Sequence, residues 1–221
     1  MLHEGGRPRA LDLFCGAGGA TKGLQMAGFH VTGIDIKPQP RYCGDAFLQG
    51  DAMRVPVQWM KQFDFVWASP PCQGYSITRH ILRGKGITNR RASNLIPVVR
   101  HTLLKTGTPF VIENVPGSRL LDPVILCGSM FNLRVYRHRL FESCKLILQQ
   151  PDHPAHNGST GSNRGYSYGY PYVTVGGHNY KPCDGKQAME IDWMTRDELN
   201  EAIPPAFGQW IGEQVMKNLS A

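Results

Sequence analysis

The chain has 221 residues, 41% of them hydrophobic and 19% charged, which fits a globular domain with a sizeable core and excludes a disordered chain. The formal net charge of +7 is compatible with a polyanionic partner but does not establish one. No apolar run reaches the length of a membrane span and residues 1–5 do not resemble a signal peptide, so we expect a cytoplasmic protein that contacts no membrane. The six cysteines form no Cys-x-x-Cys pair and are expected to be free thiols.

A strand, a glycine-rich turn and a helix are predicted at the start of the chain. Residues 9–14 are apolar enough for a buried strand, residues 15–20 are rich in glycine, and residues 21–27 form an amphipathic helix pattern. This order is typical of the nucleoside-binding start of a doubly wound α/β fold, because glycines let the backbone approach a ligand. Glycine turns also serve strand–helix packing, so the pattern alone decides little.

Two acidic residues follow predicted strands. Residues 29–34 predict a second strand that ends at Asp35, where a carboxylate can accept both hydroxyl hydrogens of a ribose. Asp51 follows another extended stretch and could accept from an adenine amino group. Together with the glycine turn they predict a nucleoside cofactor site. The phosphate-binding form of the glycine fingerprint is absent, which favours a cofactor without a pyrophosphate over NAD.

Cys72 is the candidate nucleophile. Residues 63–67 predict a strand, and Pro70 and Pro71 end it because neither can donate a backbone N–H to a sheet. Cys72 is therefore expected at the carboxyl end of a strand, where open α/β sheets bind ligands. A thiol in such a place can attack a substrate, and the alternative is a buried structural cysteine.

A basic loop and a buried carboxylate come next. Residues 78–91 combine glycines with many cations and predict a mobile lid over phosphates, or else an ordinary solvated charge run. Ser93 can cap a helix over residues 94–105, with Pro97 in its first turn and Gly107 at its end. A strand over residues 109–112 then leads to Glu113, a carboxylate that is costly to bury unless it is used or paired.

The second half of the chain offers paired arginines and a loop-rich insert. Residues 124–128 and 133–136 look extended, and period-two alternation in a strand predicts that Arg137 and Arg139 face one side together. Residues 149–186 predict an insert with one short strand over residues 172–175 and with tyrosines for stacking. Thr195 can cap a helix over residues 196–202 that Pro204 and Pro205 end, and a last helix runs from residue 208 or 209 to residue 219.

This ordered set resembles the cytosine-C5 methyltransferase family, which transfers methyl groups from S-adenosylmethionine. Residues 12–19 resemble its cofactor loop, Pro71-Cys72-Gln73 with Ser76 its catalytic loop, and Glu113-Asn114-Val115 its base-binding motif. Arg137-x-Arg139 is similar to its paired-arginine motif, and residues 194–198 and 208–215 to its C-terminal motifs. The resemblance implies a Rossmann-like α/β fold with a mixed, mostly parallel sheet and helices on both faces, plus a small loop-rich insert. Residues 1–148 and 187–221 would form the catalytic domain, and residues 149–186 a reduced target-recognition insert.

The resemblance also assigns roles to residues. The catalytic residues it implies are Cys72, Glu113, Arg139 and Arg137. The cofactor-binding residues it implies are Phe14, Cys15, Gly16, Ala17, Gly18, Gly19, Asp35, Ile36, Asp51, Ala52, Pro71, Glu213 and Gln214. The nucleic-acid contacts it implies, including the basic lid, are Gln73, Ser76, Arg79, Arg83, Lys85, Arg90 and Arg91.

The expected activity is methylation of DNA cytosine at C5 through a covalent Cys72–C6 adduct on a flipped-out base. Duplex DNA is the expected partner of a monomeric enzyme in a bacterium or a phage-infected cell, with a companion restriction endonuclease possible. The small insert predicts a short or degenerate target sequence. The alternatives are a methyltransferase of tRNA cytosine and a catalytically silent nucleic-acid-binding relative.

Three features depart from the family pattern. Val135 stands where the family has glutamine, Glu213 follows Gly212 where it has asparagine, and the recognition region is small. Glu213 would lie close to the cofactor sulfonium. No metal ligand is expected, although Cys144, His153, His156 and Cys183 were weighed as a zinc site of unfamiliar spacing.

Overall fold

The computed structural model describes residues 6–71, 94–156, 158, 160–161, 171–178 and 180–220. The strands are β1 Arg9–Leu13, β2 His30–Asp35, β3 Ala46–Gln49, β4 Phe65–Ala68, β5 Phe110–Asn114, β6 Val124–Leu126, β7 Arg139–Cys144, β8 Thr160–Gly161 and β9 Tyr172–Val173. The α-helices are α1 Gly19–Met26, α2 Val57–Met60, α3 Ile96–Thr106, α4 Pro182–Met189, α5 Arg196–Glu201 and α6 Pro205–Leu219. Short 3-10 helices span Ala52–Arg54 and Gly128–Phe131.

Seven strands form one sheet in the order β3-β2-β1-β4-β5-β7-β6. The first five along the chain are parallel, whereas β7 runs antiparallel to both β5 and β6. This mixed, mostly parallel sheet with helices on both faces confirms the predicted fold class. The strand order reverses between β1 and β4, and in such sheets ligands bind in the crevice at the carboxyl ends beside that point.

The sheet has a hydrophobic core on each face because most residues of its central strands are apolar on both faces. On one face α1 and α6 pack over aromatic residues that include Phe29, Trp67 and Phe207. On the other face α2 and α3 pack over aliphatic residues that include Leu11, Val66 and Ile112. Asp12 and Glu113 are buried among these strands, which marks them as candidates for function.

Glycine lets α1 and α6 approach each other closely. A Cβ on Gly23 would lie 2.1 Å from the carbonyl oxygen of Pro205, and one on Gly208 would lie 2.5 Å from that of Ala20. Neither distance is possible for two unbonded atoms, so the two backbones are in direct contact. The close packing fixes the start of α6 beside the turn that follows β1.

Some element boundaries differ from the sequence-based prediction. α6 begins at Pro205 rather than at residue 208 or 209, because proline is favoured in the first helical turn, where its missing N–H costs nothing. α3 begins at Ile96, two residues later than predicted. The insert contains a helix that the sequence did not predict, α4, whose buried residues join a third cluster with Val173, Tyr180 and Leu199. None of the helices in the described part of the chain is long and apolar enough to cross a membrane.

Candidate active site and cofactor cleft

A cleft opens at the carboxyl ends of β1, β2, β4 and β5, at the switch in strand order. Most of the predicted cofactor residues line it: Phe14, Cys15, Gly16, Ala17, Gly19, Asp35, Ile36, Asp51, Ala52 and Pro71. Glu113 and Arg139 line the same cleft. The structure therefore brings the candidate cofactor residues and the candidate base-binding pair into one space.

The turn after β1 adopts left-handed backbone conformations at Phe14 (φ 62°), Gly16 (φ 51°) and Gly18 (φ 90°). The Gly16 N–H donates to Asp35 Oδ2 at 3.0 Å, and a Cβ on Gly16 would meet nothing within 4 Å. A Cβ on Gly18 would instead lie 2.8 Å from Cys43 Sγ, and one on Gly19 would lie 2.2 Å from the Ile203 carbonyl oxygen. Gly18 and Gly19 are thus required for packing within the protein, and Gly18 is not among the lining residues of the cleft.

Asp35 and Asp51 are both held by backbone amides. Asp35 Oδ1 accepts from the Lys37 N–H at 2.9 Å, and Asp51 Oδ1 accepts from the Met53 N–H at 2.9 Å. Each carboxylate oxygen can accept more than one hydrogen bond, so both groups retain capacity for hydroxyl or amino donors of a ligand. These backbone hydrogen bonds hold the two carboxylates in place, so their remaining lone pairs have a fixed direction.

Asp12 is a buried carboxyl on β1 that faces the cleft. Thr21 Oγ1 donates to its Oδ2 at 2.6 Å, whereas its Oδ1 is buried without a hydrogen-bond partner. Burial raises the pKa of Asp12 from 3.8 to about 7, because the charged form loses its hydration. An orphaned buried carboxylate oxygen beside a cleft is a natural partner for a cationic group of a ligand.

Glu113, at the end of β5, pairs with Arg139, the first residue of β7. Arg139 Nε lies 3.1 Å from Glu113 Oε1, and both side chains are largely buried. The Ser69 side chain also hydrogen-bonds Glu113, and Ser69 Oγ in turn accepts from Trp67 Nε1 at 2.9 Å. Burial raises the pKa of Glu113, while the positive charge of Arg139 acts in the opposite direction.

The loop that follows β4 is tied to the same group of residues. Asn114 Nδ2 donates to the Pro70 carbonyl oxygen at 2.8 Å, in a buried hydrogen bond between the ends of neighbouring strands. Pro71 lines the cleft. The remaining candidates of this region, Cys72, Gln73, Ser76, Arg79, Arg83, Lys85, Arg90 and Arg91, lie outside the described residues.

Arg137 lies before β7 and not beside Arg139 on the strand, so the strand alternation predicted for the two arginines does not hold, although the charge of Arg137 also acts to lower the pKa of Glu113. Arg137 precedes β7 and has a left-handed backbone (φ 39°), so the period-two rule of a strand does not apply to it. Its guanidinium donates to carbonyl oxygens at the end of α5, including Ala202 at 2.7 Å and Asn200 at 2.7 Å. A further N–H donates to the Val175 carbonyl at 2.9 Å. This arginine caps a helix and connects it to the insert.

Glu213 and Gln214 do not line the cleft either. Both lie on α6, whose buried face against α1 contains Phe207, Ile211 and Val215. Glu213 is exposed and accepts from Gln209 Nε2 one helical turn earlier, and Gln214 Oε1 accepts from the Gln149 N–H. Helical periodicity therefore turns these two residues away from the predicted cofactor site.

The segment just before α6 lines the cleft in their place. Asn200, Glu201, Ala202 and Ile203 all border it, and Ile203 packs directly on Gly19. The sequence pattern predicts only the end of one helix in this stretch and does not indicate its place in the cleft. The signal that was available is Pro204-Pro205, which marks a chain segment held in extended conformation beside the start of a helix.

Comparison with known proteins agrees with this geometry. Residues 9–122, just over half of the chain, match the model of the C-5 cytosine-specific DNA methylase family. The chain belongs to this family. The matched region includes the turn after β1, Asp35, Asp51, Cys72 and Glu113. Members of the family use S-adenosylmethionine as methyl donor, and the cleft fits it: Asp35 and Asp51 suit its hydroxyl and amino donors, and the orphaned oxygen of Asp12 suits its cationic amino-acid part.

Two curated relatives each match about half of the chain. Type II methyltransferase M1.HphI of Haemophilus parahaemolyticus is 32% identical over 122 residues, and Type II methyltransferase M.XorII of Xanthomonas oryzae pv. oryzae is 30% identical over 126 residues. These alignments cover 48% and 50% of this chain but only 32% and 29% of the relatives. The chain thus spans about a third of the length of the curated relatives it matches.

Solved structures share the fold over nearly the whole chain. A protein encoded within an E. coli prophage, described as a DNA modification methyltransferase, superposes with a TM-score of 0.67 at 15% identity, covering 97% of this chain and 100% of that one. The Dnmt2 methyltransferase of S. pombe gives a TM-score of 0.63 at 13% identity, with the same coverages. At such identities these likenesses establish the fold alone.

Proposed function

We propose that the protein methylates DNA cytosine at C5, through a covalent adduct between Cys72 and C6 of a flipped-out base. The observation that carries this proposal is the buried Glu113–Arg139 pair, which faces the same cleft as Asp35 and Asp51 and adjoins the Pro70-Pro71 turn. Cys72 is the next residue in the sequence. A base clamp, a nucleoside site and a thiol are the components that this reaction requires.

The cofactor side of the cleft binds and orients the donor. S-adenosylmethionine supplies an electrophilic methyl group on a sulfonium. Asp35 would accept from the ribose hydroxyls, Asp51 from the adenine amino group, and Asp12 would pair with the ammonium group. Phe14 offers an aromatic ring at the edge of the same cleft.

The base side activates a carbon that is a poor nucleophile. The Cys72 thiolate would attack C6, so that the electron pair of the C5–C6 bond shifts toward C5 and N3. Glu113 would donate a proton to N3 as the charge develops, a role that its raised pKa favours. Arg139 would hold Glu113 in place and polarise the O2 carbonyl of the base.

The reaction ends when the methylated carbon loses its proton. C5 takes the methyl group from the sulfonium, which would leave as a neutral thioether, and N3 returns its proton to Glu113. A water-relayed base then removes the C5 proton, and the C5–C6 double bond re-forms as the thiolate leaves. The target base cannot be reached inside a duplex, so it must be rotated out of the stack into the cleft. The cations between Arg79 and Arg91 would contact the phosphates around it.

Methyl transfer from labelled S-adenosylmethionine tests the proposal directly. Duplex DNA, single-stranded DNA and tRNA are assayed in parallel with the wild type, Cys72→Ala and, as a matched control, Cys144→Ser. Cys144 lies opposite Phe110 at the far end of β7 and does not line the cleft. We expect label in duplex DNA, a loss of about a thousandfold or more with Cys72→Ala, and no loss with Cys144→Ser. Label in tRNA alone would contradict the substrate that we propose.

The target sequence is proposed to be short or degenerate. Residues 149–186 offer few side chains for reading base edges in the major groove. Sequencing of methylated cytosines in DNA from cells that express the protein measures the specificity. Strict selection of about six or more base pairs would contradict a reduced recognition insert.

A further inference from the structure

Two strands meet just beyond the cleft and place a cysteine opposite a histidine. In the antiparallel pair of β6 and β7, Leu126 is the partner of Arg139, so Cys127 and His138 are the next pair in register. The contact continues with the Gly128 N–H, which donates to the Tyr136 carbonyl at 2.6 Å. A Cβ on Gly128 would lie 1.9 Å from the Val135 carbonyl oxygen, so glycine is needed for the chains to come this close.

Two further histidines come from the start of the insert. His138 Nε2 lies 3.1 Å from His153 Nε2, and Cys127 Sγ lies 3.4 Å from His156 Nε2. One ligand atom of each of the four residues lies within 4.8 Å of all the others. A hydrogen bond within each pair would explain the two short distances. It would not explain why the ligand atoms of both pairs lie around the same point.

The spacing is close to that of a tetrahedral metal site, since two of the ligand-atom distances are 3.1 Å and 3.4 Å and none exceeds 4.8 Å. A zinc ion with Zn–N distances of about 2.0–2.1 Å and a Zn–S distance of about 2.3 Å places its ligand atoms roughly 3.3–3.6 Å apart. We propose that Cys127, His138, His153 and His156 together bind one Zn²⁺ ion. Three imidazoles and one thiolate are ligands that zinc prefers, and all four positions of the tetrahedron come from the protein.

Neighbouring groups hydrogen-bond to these ligands or stack on them, as groups around the ligands of zinc sites commonly do. His153 Nδ1 lies 2.9 Å from the Pro154 carbonyl oxygen, and an Nδ1–H donated there leaves the Nε2 lone pair free for a metal. Ser129 Oγ lies 3.1 Å from Cys127 Sγ and can donate to a thiolate. The Tyr136 ring stacks on His156, with centroids 3.7 Å apart, and fixes the plane of that imidazole.

A closed site of four protein ligands is structural rather than catalytic. It would fasten residues 153–156, near the start of the insert, to the end of the β6–β7 pair. Arg139, which pairs with Glu113, directly follows the ligand His138, so the same ion would stabilise the strand end from which Arg139 extends. This metal site goes beyond the proposed methyl transfer and can be tested without any activity assay.

The ligand set differs from the one weighed in the sequence analysis. Cys144 lies at the opposite end of β7 from His138, about 20 Å away at the rise of a strand. Cys183 is exposed near the start of α4, where its Sγ contacts Asp184. Neither belongs to the cluster, whereas Cys127 and His138 do. The sequence spacing missed them because the site is assembled by strand register.

Elemental analysis of the full chain, purified without chelator and with any affinity tag removed, tests the proposal. We expect about one zinc per chain in the wild type and at least a fivefold lower content in His153→Gln and Cys127→Ser. His178→Gln and Cys144→Ser are the matched controls and should keep the full content. His153 is exposed, so His153→Gln should fold even if the change at buried Cys127 disturbs the core.

A spectrum of the cobalt-substituted protein identifies the ligands. Tetrahedral Co²⁺ with one thiolate should give visible d–d bands and a sulfur charge-transfer band in the wild type and in both controls. The charge-transfer band should disappear in Cys127→Ser, or, if that variant does not fold, the d–d bands should weaken in His153→Gln. Less than about a tenth of a zinc per chain after incubation with Zn²⁺ and dialysis would overturn the proposal. Equal zinc contents in His153→Gln and His178→Gln would also overturn it.

Discussion

Glu113 is the buried carboxyl that the proposed mechanism uses as a proton donor. Its pKa is raised by burial and is held from rising further by Arg139, so it can protonate a ring nitrogen and then lose the proton. Because only the protonated form donates, the rate of methyl transfer should fall on the alkaline side as Glu113 ionises.

Replacement of Glu113 by glutamine should remove this dependence. We expect Glu113→Gln to lower the single-turnover rate by about a hundredfold or more and to abolish the alkaline decline in its pH profile. The measurement is single-turnover methyl transfer across pH, with binding of S-adenosylmethionine as the control for an intact cleft. An unchanged alkaline limb in the variant would show that another group is the donor.

Asp12 should make the wild-type protein less stable as pH rises. Its pKa is about 7 in the folded chain and 3.8 in the unfolded chain, so between these values only the folded state holds the proton. The free energy of unfolding therefore decreases with pH through this window and levels off above about pH 7. Asp12→Asn should flatten this slope, which is worth a few kcal/mol, and weaken cofactor binding.

Denaturant titrations between about pH 5 and pH 8 measure how the free energy of unfolding changes with pH. This range covers the upper part of the interval in which only the folded state holds the Asp12 proton. Asp45→Asn is a control of opposite sign, because hydrogen bonds to Val31, Gln25 and Arg7 outweigh desolvation and lower the pKa of Asp45 to about 2. That variant should be less stable than the wild type by a constant amount over the same range. If the Asp12→Asn variant kept the wild-type slope, the carboxyl would not be the source of it.

At the scale of elements, Arg137 stabilises the junction between α5 and the insert. It donates to Ala202 and Asn200 at the end of α5 and to Val175 in the insert. Arg137→Ala should destabilise the chain by about 2–4 kcal/mol, because several carbonyl groups lose their donor at once. Arg139→Ala should instead abolish methyl transfer. Thermal unfolding and activity per folded molecule separate the two, and loss of activity without loss of stability in Arg137→Ala would restore its predicted catalytic role.

The contact between α1 and α6 gives a sharper test of packing. A Cβ on Gly23 would lie 2.1 Å from the Pro205 carbonyl, whereas one on Gly50 would meet nothing within 4 Å. Gly23→Ala should therefore cost about 1–3 kcal/mol or more, since two backbones must separate. Gly50→Ala should stay within about 0.5 kcal/mol of the wild type. Similar stabilities of the two variants in a denaturant titration would show that the helices can move apart freely.

The same elements show what a sequence can and cannot predict. The helix cap at Thr195 could be predicted from the sequence, because its hydroxyl accepts from the Glu198 N–H only three residues later. The direction of the Arg137 side chain could not be predicted. It depends on the left-handed backbone of Arg137 itself and on carbonyl groups more than 60 residues away. Local rules predict elements well, and they fail where a contact joins distant parts of the chain.

At the scale of the whole molecule, strand order decides which predicted residues meet. Asp35 and Glu113 were predicted from strands that end in polar residues, and parallel pairing brings both, together with Asp12 of β1, to one edge of the sheet. Glu213 does not line the cleft, because its helix turns it to solvent. The cleft residues Glu201 and Ile203 and the proposed metal ligands around Cys127 were not predicted, because contacts between distant segments bring them into place.

Covalent trapping tests the central claim most directly. Duplex DNA that contains 5-fluorocytosine at its target cytosines is incubated with the protein and S-adenosylmethionine, because fluorine at C5 cannot be removed as a proton and the thiolate cannot leave. We expect a DNA adduct that survives denaturation with the wild type and with Cys144→Ser, and none with Cys72→Ala. No adduct with the wild type, or an adduct that persists in Cys72→Ala, would contradict it.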